Sequence, residues 1–244
     1  MTSARHDQFL LSGTFNYRDV GGARTAGGGT IRDGFLLRAA ELSRLDDDGR
    51  AALSGLGVTD VHDLRGYAEI DYLGHDALPE GVRLRVTPFD PNISDTPPHE
   101  ARRNATAFNH MLEVYREFPA MPHAHIAIKA LADSLLTGTA LVHCAAGKDR
   151  TGWSVATLLR AVDVVEEDIY ADYLLSNDAV PTLRALIAAG SNEELSDDLL
   201  GVRPDYLESA TKSMLDMYGS TEGYLAEVGI TPEQRDALRA RLIA

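Results

Sequence analysis

An α/β fold, a sheet with helical crossovers, is predicted from two features: short strand-like runs alternate with segments of helical period, and the chain is long enough for one large core. The chain has 244 residues, 44% of them hydrophobic and 25% charged, which is the composition of an ordinary globular protein. At roughly 150 residues per domain that length gives one large domain, or a domain with an insertion.

Residues 13–34 are rich in Gly and turn formers, including Gly21-Gly22 and Gly27-Gly28-Gly29, and predict ordered turns or a small hairpin rather than a helix. Strand-like runs follow at 35–37, 58–64, 82–89 and 140–144, each with β-branched or bulky residues bounded by Gly, Asp or Pro. Between the first two, Leu45, Ala52, Leu53 and Leu56 recur at helical spacing behind an N-cap at Ser43 or Asp46. The stretch DPNISDTPP at 90–98 breaks regular structure, and a helical pattern follows over about 99–118. Beyond Arg150 the chain reads as helices at 151–162, 168–176, 180–189, 204–218 and 231–242, the last with Pro232 at its first position. Asp46-Asp47-Asp48 suits a solvated helix start.

Composition excludes several functions. With 23 Lys+Arg against 37 Asp+Glu the formal net charge is −14, so the chain is a poor general ligand for nucleic acid and is repelled by anionic membranes. No basic stripe interleaved with aromatics is present either. An anionic substrate therefore needs a local positive site. No apolar run approaches the roughly 18 residues of a membrane span, so no integral membrane association is expected. A single cysteine, Cys144, forms no intramolecular disulfide. The first ten residues carry Arg5, His6 and Asp7 and no apolar signal core, which predicts a cytoplasmic protein and leaves secretion without a cleavable signal open.

The chemistry concentrates in 139-TALVHCAAGKDRTGWSVATLLR-160. An apolar strand ends in His143-Cys144, five residues intervene, and Arg150-Thr151 open an amphipathic helix. Backbone N–H groups of the loop at the positive end of that helix converge on an anion, and the same field favours thiolate over thiol at Cys144. Arg150 supplies a planar fork for two phosphoryl oxygens, which Lys cannot reproduce. Gly147 lets backbone approach the anion, Ala145 and Ala146 keep the cradle open, and the Thr151 hydroxyl is placed to reach the sulfur. Lys148 reads equally as a group that steers an anionic substrate and as a solvated loop lysine. The Gly147-Lys148 pair is no nucleotide P-loop, because Val142 stands at the first glycine position and Asp149 at the Ser/Thr position.

The segment HCAAGKDRTG resembles the His-Cys-x5-Arg-Thr signature of cysteine-dependent protein tyrosine and dual-specificity phosphatases. With Lys148-Asp149 before the Arg, it is similar to the bacterial family typified by mycobacterial protein tyrosine phosphatase B and to phosphoinositide-type phosphatases. The segments 15-FNYRDVGG-22, 36-LLRAAELSRL-45, 62-HDLRGYAEI-70, 172-DYLLSN-177 and 203-RPDYLESA-210 resemble that family in order, so the likeness spans nearly the whole chain. The resemblance implies one phosphatase domain over 1–244, a mostly parallel central sheet flanked by helices, and a helical lid inserted at about 90–130. It also implies a mechanism without metal or cofactor, through a phosphocysteine on Cys144. Activity on phosphotyrosine is expected, with phosphoserine, phosphothreonine and phosphoinositides as the wider range. Phosphorylated protein or phosphoinositide is then the partner and inorganic phosphate the product.

Three carboxylates compete for the general acid. The resemblance points first to Asp149 inside the loop, Asp90 in Phe89-Asp90-Pro91 is the rival, and Asp63 is the third, with support of Arg65 as its other duty. Arg18 or Asp19 is expected to bond the loop, and Trp153 to be core or the wall beneath it. His143 reads as an orienting neighbour. His123 and His125 lack further ligands, so no metal site is expected, and Arg102-Arg103 read as a solvated face. A rhodanese-like sulfurtransferase, whose thiolate also sits in an amide-lined loop, is the alternative function; Arg150 and Thr151 argue against it.

Overall fold

The computed structural model describes residues 11–89, 107–190 and 195–244. Five strands form one sheet in the order β1-β2-β5-β3-β4: β1 (Arg18–Asp19), β2 (Leu36–Ala39), β3 (Asp60–Asp63), β4 (Arg83–Val86) and β5 (Ala140–His143). The β2, β5, β3 and β4 strands run parallel and β1 pairs antiparallel at the edge. This is the expected α/β architecture, and β5 lies at its centre. Ala39, His143 and Asp63 stand side by side at the carboxyl ends of three adjacent strands. In a parallel sheet that end is where ligands bind.

The β5 residues are all buried and alternate between the two faces: Ala140 and Val142 join the larger core, and Leu141 joins the smaller one. The smaller core also takes Leu45 and Leu53, the latter from α1 (Asp47–Gly55), whose first turn is capped by Asp46, the second of the two expected caps. On the other face lie α4 (Pro122–Leu135) and α5 (Asp149–Ala161), with α6 (Glu166–Leu174), α9 (Pro204–Tyr218), α10 (Thr221–Val228) and α11 (Pro232–Leu242) around them. Every residue of α5 from Arg150 to Ala161 is buried. Trp153 is core, its indole N–H donating to Tyr224 Oη at 3.2 Å.

In the stretch expected to be a lid, α3 (Ala107–Glu117) buries Met111, Val114 and Tyr115 in the larger core, and α4 follows it inward. Residues 90–106, with Asp90 and Arg102-Arg103, lie outside the described residues. The short α2 (Tyr67–Leu73) follows β3, and α7 (Val180–Gly190) buries none of its residues. A one-turn α8 (Asp197–Leu200) precedes α9. No helix among the described residues is long and apolar enough to cross a membrane.

Candidate active site

The loop between β5 and α5 is fixed by its carbonyls. Cys144 O accepts from His143 Nδ1 at 3.1 Å, and Ala145 O accepts from the Glu41 amide at 3.1 Å. Ala146 O and Gly147 O accept from Asn16 Nδ2 at 2.9 and 3.0 Å, and Gly147 O also takes Arg38 Nη2 at 2.8 Å. In a trans peptide the C=O and the following N–H point in opposite directions, and no cis bond occurs in the described chain. Tying four carbonyls outward therefore turns the amides of Ala145, Ala146, Gly147 and Lys148 inward. Those amides donate to no acceptor among the described residues. Four unspent donors at a helix N-terminus form a nest that is chemically able to hold an anion.

Gly147 is required by geometry. Its φ is +67°, and a Cβ there would lie 2.1 Å from Ala39 O. Ala145 and Ala146 flank it on the partly exposed rim.

Beneath the loop lies a polar network that the sequence named only in part. Asn16 Oδ1 accepts from Arg18 Nη1 at 2.6 Å, and the Asp172 carboxylate bridges Arg18 at 2.8 Å and Arg38 at 2.6 Å. Both guanidinium groups are wholly buried. Burial and the neighbouring Arg38 charge push Arg18 down to about 10, which leaves it charged at neutral pH. Burial raises the Asp172 carboxyl, but the two arginine charges outweigh it and the net direction is down. Two cations sharing one carboxylate leave a positive charge under the nest, where an anion bound above gains most from low dielectric. The expected loop contact of Arg18 is thus made through Asn16, while Arg38 bonds the loop directly. Asp19 does not reach it: its oxygens take the amides of Gly21 and Gly34, because β1 ends in a tight turn there.

Cys144 is a free, buried thiol at the end of β5. Arg150, in the first turn of α5, is held by Glu69 through both terminal nitrogens, at 2.5 and 2.6 Å. Burial raises the Glu69 carboxyl, but the hydrogen bond and charge of Arg150 overcome it and hold it below its ordinary value. Glu69 Oε2 also caps the Gly66 amide at 2.9 Å, so one carboxylate anchors both α2 and the guanidinium. Lys148 is buried rather than solvated: its Nζ donates to Leu199 O at 2.7 Å and Gly201 O at 3.3 Å and lies 2.9 Å from Asp149 Oδ2. Asp149 Oδ1 accepts from Tyr115 Oη at 2.7 Å. Thr151 departs from expectation. Its Oγ1 is buried and makes no hydrogen bond among the described residues, to the Cys144 sulfur or to any other atom.

His143 and Asp63, side by side on β5 and β3, belong to a buried charge cluster. His143 Nε2 meets Asp76 Oδ2 at 2.8 Å, and Arg65 donates to Asp63 at 2.8 Å and to Asp76 at 2.7 Å. Burial disfavours the imidazolium, but the charge and hydrogen bond of Asp76 outweigh it, and His143 lies above its ordinary value. With both ring nitrogens protonated, His143 donates to Asp76 and to Cys144 O. Asp63, Asp76 and His143 also have ligand atoms within 4.8 Å of one another, the spacing of a metal set. Arg65 already supplies that cluster with a cation, through both carboxylates. Asp63 is 1% exposed and gives its oxygens to Arg65, the supporting duty expected of it.

Asn16, Arg38, Glu69, Asp76, Tyr115 and Asp172 were not predicted as site residues. Asn16, Arg38, Glu69 and Asp172 lie in the quoted segments FNYRDVGG, LLRAAELSRL, HDLRGYAEI and DYLLSN, the first of which reads as scaffold packed near the site.

Known proteins share this chain's sequence over nearly its whole length. The model of a tyrosine phosphatase family matches residues 9–244. The triple specificity protein phosphatase PtpB of Mycobacterium tuberculosis is 38% identical, over 96% of this chain and 98% of its own. A putative tyrosine-protein phosphatase of Cupriavidus necator is 30% identical over 91% and 84%. A tyrosine-protein phosphatase of Nostoc commune is 29% identical over 85% and 74%. The chain belongs to the tyrosine phosphatase family.

Proposed function

We propose that this protein is a cysteine-dependent phosphomonoesterase whose primary substrate is phosphotyrosine in proteins. Phosphoserine, phosphothreonine and phosphoinositides extend its range, a breadth supported by the PtpB likeness. The reading rests on one observation: four loop carbonyls between Cys144 and Lys148 are bonded, which leaves the four amides that follow them without an acceptor among the described residues.

In the proposed reaction the nest and Arg150 bind the equatorial phosphoryl oxygens, with Glu69 fixing the plane of the guanidinium. The Cys144 sulfur attacks phosphorus. As the S–P bond forms, the P–O bond to the leaving group breaks, its electron pair stays on oxygen, and Asp149 delivers a proton there. Water then attacks phosphorus, giving its proton to the Asp149 carboxylate. The S–P bond breaks with its electrons returning to sulfur, and inorganic phosphate leaves. Lys148 acts as a strut from the loop to the α8 segment, a role supported by its two carbonyl partners. Asp63 supports Arg65, and Asp90 is the second candidate for the acid. The domain is taken as 1–244 with an insertion at about 90–130, whose α3 meets the loop through the Tyr115 bond to Asp149. A sole cysteine that must stay a free thiol suits the reducing cytoplasm.

The test is hydrolysis by the pure protein, with EDTA present, of phosphotyrosine peptide, phosphoserine peptide and phosphatidylinositol phosphates. Turnover of phosphotyrosine peptide that is blocked by vanadate supports the proposal. Persulfide formed from thiosulfate, with no phosphate released, would replace it by the sulfurtransferase alternative.

A further inference from the structure

The carboxyl proposed as the acid is held from outside its own loop. Tyr115 on α3 is wholly buried and donates its hydroxyl to Asp149 Oδ1 at 2.7 Å. Tyr173 on α6, 1% exposed, donates in turn to Tyr115 Oη at 2.8 Å. Two other tyrosines spend their hydroxyl on a single carbonyl, Tyr206 on Asp198 O and Tyr218 on Pro119 O. The Tyr173–Tyr115 chain instead ends on a side chain that is 22% exposed at the phosphate loop. Burial and the charge of Asp149 push both phenols well above their ordinary value, so each remains a protonated donor through the neutral range.

We propose that Tyr115 is a positioning residue for leaving-group protonation, orienting Asp149 through Oδ1 while Tyr173 orients Tyr115. This rests on the reading of Asp149 as the acid. With Oδ1 occupied by the phenol, the transferable proton sits on Oδ2. As the P–O bond breaks, that proton passes to the leaving oxygen and its bonding pair remains as carboxylate charge. The hydrogen bond from Tyr115 strengthens as that charge develops, so it stabilises the transition state more than the bound substrate. Lys148, whose ammonium lies 2.9 Å from Oδ2 and 3.3 Å from Oδ1, stabilises the same developing carboxylate charge.

The test is kcat/KM over a series of aryl phosphates whose leaving phenols run from 2,4-dinitrophenol to phenol. Four proteins are compared with wild type: Tyr115→Phe, Tyr173→Phe, Asp149→Asn and the Tyr115→Phe/Asp149→Asn double variant. A dinitrophenolate departs without a proton, so Tyr115→Phe changes that substrate less than about twofold. On phenyl phosphate it lowers kcat/KM about tenfold, the worth of one hydrogen bond to a charged group. Tyr173→Phe gives a loss of about threefold with the same leaving-group trend, and reads that trend if Tyr115→Phe fails to fold. Asp149→Asn gives a steeper loss, on the order of a hundredfold on phenyl phosphate, and Tyr115→Phe adds nothing to it. A loss in Tyr115→Phe that is equal across leaving groups, or that persists at full size in the double variant, overturns the positioning role and leaves the acid in place. A flat response in Asp149→Asn removes the acid, and the positioning role with it.

Discussion

Replacing Gly147 by Ala tests whether the shape of the loop makes the site. The added Cβ would meet Ala39 O at 2.1 Å, on the backbone of β2, which pairs with the central strand and cannot yield cheaply. The left-handed φ of +67° costs an alanine about 1–2 kcal/mol, and forcing extra volume into packed surroundings costs about 1–3 kcal/mol more. Together that is about 2–5 kcal/mol, or a fall in Tm of roughly 5–15 °C for a chain of this size. If the loop moves instead, Gly147 O leaves Asn16 and Arg38, and a displacement of about 1 Å lowers turnover about a hundredfold. Differential scanning calorimetry and phosphotyrosine peptide turnover read the two costs. A variant that melts and turns over as the wild type does would refute the assignment of the nest.

Glu69→Ala leaves Arg150 without its bidentate partner and unfastens the α2 cap; kcat is expected to fall at least tenfold, with a thermal loss of a few degrees, measured by steady-state kinetics and melting. Arg38→Met removes a cation from beneath the nest and a bond to Gly147 O, so phosphate inhibition should weaken by about tenfold or more, read by competition against p-nitrophenyl phosphate. Stability should depend on pH through His143. Its folded value is raised above 6.5, so its contribution is complete below about pH 6.5 and is lost as pH rises through the folded value. Denaturant unfolding should show this decline in the wild type and not in Asp76→Asn, which removes the partner that raises His143.

The fold was largely legible because its signals are local. Strand runs such as 140–144 end where the period changes to helical, and the structure has β5 and α5 there. The spacing from Cys144 to Arg150 was legible for the same reason, since a loop of five residues carries nucleophile and fork together. The partners were not. Asn16 and Arg38 bond the loop, Glu69 holds Arg150 and Asp172 holds Arg38 because β2 and β3 flank β5 in register and α6 packs on α5, which no spacing along the chain encodes. Thr151 failed in the opposite way: a motif placed its hydroxyl near sulfur, while the packing of α5 left that hydroxyl buried and unbonded.

In the proposed reaction Cys144 carries the phosphoryl group during turnover. Rapid acid quench of the enzyme with an aryl phosphate, followed by peptide mass analysis, tests this directly. One phosphoryl group is expected on the peptide containing Cys144, appearing with a burst of phenol and absent from Cys144→Ser. Turnover with an unmodified Cys144, or persisting in Cys144→Ser, would contradict it.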